Sequence, residues 1–89
     1  MKKYVVTVID FDNGEDIDIV VEGIYQNMNE AIKTMIKVCM DLSDNAIFNG
    51  YKNIQLLHKY DKQYLLEEIL ILNKDKEILF QITLNETFE

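Results

Sequence analysis

The sequence has no arginine, no proline and no tryptophan, and its 89 residues include one cysteine, one histidine and three glycines. Each scarcity excludes something. Arginine makes the bidentate contacts to phosphate and guanine that nucleic-acid binders rely on. Here all nine bases are lysine, against sixteen acids, for a net charge of −7. That field repels phosphate backbones and anionic membranes, so direct binding to nucleic acid or membrane is not expected. It speeds encounter with a basic partner instead. A low-GC coding bias accounts equally well for a chain rich in Lys, Asn and Ile and free of Arg.

One cysteine excludes an intramolecular disulfide. Cys39 and His58 together are too small an inventory for a zinc site, and no metal or cofactor is expected. Gly14, Gly23 and Gly50 stand isolated, so no glycine loop can cradle a phosphate. There is no nucleophile elbow and no Cys-x-x-Cys. No apolar run approaches the ~18 residues of a spanning helix. The run after Met1-Lys2-Lys3 is too short for a signal peptide core and lacks a small-residue cleavage site. These readings predict a cytoplasmic protein. With 48% apolar and 28% charged residues, the composition is globular rather than disordered or fibrous. Its length predicts a single domain over 1–89.

Residues 4–22 predict a β-hairpin. Asn13-Gly14 suits the two positive-φ positions of a type I′ turn. That turn sets Asp12 opposite Glu15, Asp10 opposite Ile17, Val8 opposite Ile19 and Val6 opposite Val21. Val6, Val8, Ile17, Ile19 and Val21 then share the face turned to the core. Val5, Thr7, Ile9 and Phe11 lie opposite Asp16, Asp18, Val20 and Glu22 on the other. Since the first strand is apolar on both faces, it is central or partly covered on its second side.

Residues 28–43 predict a helix, with Asn27 as N-cap and Glu30 completing a loose capping box. Ala31, Ile32, Met35, Ile36, Cys39 and Leu42 fall on one face. Cys39 on that face reads as a buried, inert thiol. Asp44-Asn45 and Asn49-Gly50 are stop and turn signals. Ile54, Leu56, His58 and Tyr60 alternate with polar and apolar neighbours and favour a strand, with a short helix over 51–60 as competitor. A second hairpin follows, from Tyr64 to Leu72 and from Glu77 to Leu84, with its turn at Asn73–Lys76. The tail Asn85–Glu89 is expected to fray. The order β-β-α-β-β-β predicts a two-layer α+β fold, a mainly antiparallel sheet of four to five strands with one helix packed on one face.

The acidic hairpin is the densest cluster of functional groups. Asp10, Asp12, Glu15, Asp16 and Asp18 place five carboxylates within nine residues. They do not make an EF-hand, because Gly14 in the obligatory glycine position would make Ile9 the first ligand. An exposed turn also offers little to raise a catalytic carboxylate pKa. What remains is a solubilising loop that guards a sheet edge or a docking surface for a basic protein. Tyr25, Tyr51, Tyr60 and Tyr64 fall near loops or strand ends and fit either ordinary rim packing or a recognition surface. Glu67 and Glu68 interrupt an apolar strand, with Lys59 or Lys62 as expected neighbours.

The sequence therefore favours a non-catalytic, acidic protein-binding module. In its sharpest form it is an inhibitor whose carboxylates stand in for phosphates in a partner's nucleic-acid-binding cleft. Small viral proteins that block host defence nucleases are often of this size and charge, a parallel of size and charge rather than of motif. The alternative is a self-associating homodimer that buries Val5, Thr7, Ile9 and Phe11, or pairs a free sheet edge. A remote third reading is an enzyme built around His58, Glu67 and Glu68.

Overall fold

In the computed structural model, which describes residues 2–13, 16–59 and 67–88, six elements follow one another. They are β1 (Lys2–Asn13), β2 (Asp16–Tyr25), α1 (Met28–Phe48), β3 (Gln55–Lys59), β4 (Glu67–Leu72) and β5 (Ile78–Phe88). The five strands form one antiparallel sheet in the order β2-β1-β5-β4-β3. One helix lies across one face, so the fold is the expected two-layer α+β arrangement. β1 is internal, which suits its two apolar faces, and residues 55–59 form a strand rather than a helix.

Four antiparallel steps separate β2 from β3, so these two edge strands run parallel. The chain must cross the whole sheet between them, and α1 makes that crossing. Its 21 residues span about 32 Å. Asn27 caps its start, the side chain accepting a hydrogen bond from the Asn29 N–H at 2.7 Å. The helix runs past Asp44-Asn45 to Phe48, five residues beyond the predicted end. The buried series Ala31, Met35, Cys39 extends to Ala46, and packing of this face outweighs the local stop signal. Gly50 then ends it at φ +100°, with the Gly50 N–H on Ile47 O and the Tyr51 N–H on Ala46 O. This is a Schellman closure, and it needs a left-handed residue.

The core lies between α1 and the middle of the sheet. Val6 and Val8 of β1, Ile82 and Leu84 of β5, and Ile71 of β4 pack under Ala31, Met35 and Cys39. Register confirms one shared face, since Val6 stands opposite Leu84, Val8 opposite Ile82, and Ile69 opposite Ile82.

Two expectations about register and length fail. In the first hairpin Asp10 faces Asp18, Ile9 faces Ile19 and Val8 faces Val20, one residue away from the predicted pairing. Irregularities between Asp10 and Asn13 and between Val6 and Thr7 absorb the difference. A one-residue slip exchanges the faces of a strand. Ile17, Ile19 and Val21 therefore join Thr7 and Ile9 on the face away from the helix, while Asp18 and Val20 turn toward the helix side. The tail also differs. β5 continues to Phe88 because residues 2–5 of β1 pair with 85–88, and Lys2 forms an ion pair with Glu86 at 2.9 Å.

In the β4–β5 connection, the Asn73 side chain accepts hydrogen bonds from the Asp75 and Glu77 N–H groups at 2.9 and 3.0 Å. Lys76 there takes φ +64°. The expected start of β4 at Tyr64 lies partly outside the described residues.

Candidate docking site

The β1–β2 hairpin carries the acidic cluster. From Tyr4 to Ile32 the sequence contains seven acids and no base at all. The hairpin holds most of them at one end. The β1–β5 ladder ends at the Asp10–Phe80 pair, while β5 itself continues to Ile78 beside β4. Asp16 lies opposite Asn13, and Asp18 lies opposite Asp10. Asp16 and Asp18 are exposed and Asp10 is half-buried. Asp12 belongs to β1, but its side chain, like Glu15, lies outside the described residues. β2 is an edge strand, exposed from Asp16 to Glu22.

Tyr25 does not lie at that tip. Tyr25 ends β2 nine residues from Asp16, about 30 Å along the strand. Its ring packs against the core, and its hydroxyl accepts a hydrogen bond from the Thr34 hydroxyl at 2.8 Å. Tyr51 also packs against the core, just after α1. Tyr60 and Tyr64 lie outside the described residues. Tyr25 and Tyr51 are thus half-buried packing groups.

Of the candidate catalytic groups, the fold brings His58 and Glu67 together and leaves Glu68 apart. His58 Nε2 stands 3.5 Å from a carboxylate oxygen of the half-buried Glu67 on the helix side of the sheet. Glu68, one residue on, points to the opposite face, where the Gln81 amide donates to it and Lys59 stands across from it. Cys39 is buried in α1, and burial pushes its thiol pKa up, away from the reactive thiolate. Among the described residues no group of three His, Cys, Asp or Glu side chains is placed to hold a metal ion. Among them, too, no helix is long and apolar enough to cross a membrane.

Sequence reading missed one feature, the apolar row on the uncovered side of β2. The missed signal was the pair of bulges, which leave no mark in residue periodicity. No protein-family model matches the chain, and no curated protein or solved structure matches it.

Proposed function

We propose that this chain is a non-catalytic protein-binding module that presents its acidic hairpin to a basic surface of a partner protein, of the kind that otherwise holds nucleic acid. The observation that carries the reading is the acidic end of the hairpin, with Asp16 and Asp18 exposed within a stretch that contains no base. A strand places every second side chain on one side, about 6.6 Å apart, so the carboxylates form a spaced row rather than a chelating cage. A rigid row of anions on an edge strand complements a cationic groove and accelerates encounter with it. A cytoplasmic setting belongs to the same proposal.

The test is a pull-down at low and high salt from lysate of the cells that encode the protein. The native chain is compared with a variant carrying Asn at Asp10, Asp12, Asp16 and Asp18. The reading expects a band that high salt and the variant both remove, because exposed charge pairs are screened beyond about 3–10 Å. A band that survives both would overturn it.

A further inference from the structure

The outer edge of β2 is open. Among the described residues its one sheet neighbour is β1. The backbone N–H and C=O groups along that edge therefore meet no strand, and such a row is a template for another chain. β2 also lacks the residues that usually blunt an edge, since Asp16–Tyr25 contains no proline and no lysine. The opposite edge strand, β3, has five residues against ten and ends in Lys59.

Register shows how much of this edge can take a strand. The irregularity between Asp10 and Asn13 adds a residue to β1, and the one between Val6 and Thr7 adds Glu22 to β2. β2 is thus unbroken from Asp16 to Val21, about 20 Å. Every residue of that stretch is exposed. Asp16, Asp18 and Val20 alternate with Ile17, Ile19 and Val21, so one face carries the carboxylates and the other is apolar.

Charge decides the occupant. A second copy joining antiparallel through β2 sets acid against acid. Centred on Ile17, it opposes Asp16 with Asp18; centred on Asp18, it opposes that residue with itself; centred on Ile19, it brings Asp16 beside Glu22. Like charges directly opposite in a sheet are destabilising. A strand with lysine or arginine opposite Asp16 and Asp18, and apolar side chains opposite Ile17, Ile19 and Val21, is matched on both faces at once.

We infer that the occupant of this edge is an extended segment of a basic partner protein, added to β2 as a sixth strand, in which lysine or arginine alternates with apolar residues. This rests on the acidic-hairpin reading and names what the hairpin holds. Main-chain hydrogen bonds to β2 supply the affinity, and the alternation supplies the specificity.

The probe is the blocked heptapeptide Lys-Val-Lys-Ile-Lys-Val-Lys, titrated into the full chain at low salt and followed by fluorescence anisotropy. It is expected to bind and to slow amide exchange at residues 16–21. The same residues in block order, Lys-Lys-Lys-Lys-Val-Ile-Val, should bind at least tenfold more weakly. Successive N–H groups of a strand point to opposite edges, and only one edge of the guest meets β2. Methylating the amide nitrogens of the three apolar residues and methylating those of the lysines should therefore differ in effect. One form loses at least tenfold in affinity and the other keeps it. Asp16→Asn combined with Asp18→Asn should also weaken binding at least tenfold, with circular dichroism confirming the fold. If both methylated forms bind like the parent peptide, strand addition is overturned, while charge docking, and with it the acidic-hairpin reading, stands. Slowed exchange in β3 in place of β2 puts the guest on the other edge and overturns the inference. A parent peptide that does not bind overturns it too, and the pull-down then decides the acidic-hairpin reading by itself.

Discussion

The ring of Tyr25 lies directly over Gly23, so that a Cβ at position 23 would come within 2.6 Å of the ring's Cε2 and Cζ. Both residues sit at the end of β2, where Val6 pairs with Gly23 and Tyr4 with Tyr25. The Thr34 hydroxyl holds the Tyr25 hydroxyl, so the ring cannot swing aside without losing that bond. Gly23→Ala should therefore destabilise the fold by about 1–3 kcal/mol through overpacking. Tyr25→Phe, which deletes only the hydroxyl, should cost about 0.5–1.5 kcal/mol. Urea unfolding midpoints at constant m measure both. An unchanged midpoint for Gly23→Ala would show that the ring finds another rotamer at no cost.

This contact also shows where sequence reading stopped. The central place of β1 was legible because apolar residues occupy both its faces. The helix face was legible because Ala31, Met35 and Cys39 recur at helical spacing. The register of β2 was not. Asn13-Gly14 is a strong turn signal, but the pairing also has to fit Gly23 under Tyr25 and Tyr25 against α1, and bulges reconcile the two ends. Those contacts are tertiary, and no local pattern encodes them. The acids at the hairpin tip were legible as a cluster. The packing of Tyr25 and Tyr51 against the core was not, because it depends on strand register and helix packing. The continuation of β5 to Phe88 was hidden for a similar reason: it rests on pairing with a strand some eighty positions earlier.

The C-terminus of α1 makes a sharper local prediction. Gly50 takes φ +100° with open space around its α-carbon, so a methyl group there meets no neighbour. Any cost of Gly50→Ala is then backbone strain alone, about 1–2 kcal/mol for an L-residue held in a left-handed conformation. Thermal unfolding should show a Tm lower by roughly 4–8 °C per kcal/mol for a domain of this size. Gly50→Asn, which tolerates the left-handed region better, should lose less. Equal losses for Ala and Asn would contradict a strain-only account.

Cys39 supplies a pH prediction. Burial favours the neutral thiol and raises its pKa above the ordinary value. A group whose pKa is raised on folding contributes fully below its unfolded pKa. The contribution is then lost as pH rises toward the folded value. Stability should thus fall with pH above the ordinary thiol range, near 8.5, and Cys39→Ala should remove that part of the slope. At neutral pH, alkylation of native Cys39 should proceed only through opening of the fold, and mild urea should accelerate it. Rapid stoichiometric labelling of the native chain would show the thiol to be accessible.

The charge distribution predicts how salt acts on stability. Seven acids without a base between Tyr4 and Ile32 create a repulsion that the fold must hold together. At about 0.01 M ionic strength the screening length is about 30 Å, so carboxylates along the whole hairpin repel one another; at about 1 M it is near 3 Å and only immediate neighbours interact. The Tm should therefore rise with sodium chloride across this range. Replacing Asp10, Asp12, Asp16 and Asp18 with Asn should flatten the dependence and raise the low-salt Tm. Hydrophobic stabilisation by salt acts on native and variant chains alike, so the difference between their slopes isolates the electrostatic part. Parallel slopes would mean that the hairpin carboxylates are already compensated within the folded chain. The electrostatic docking proposed for them would then lose its physical basis, because a compensated row has no field to offer a basic partner.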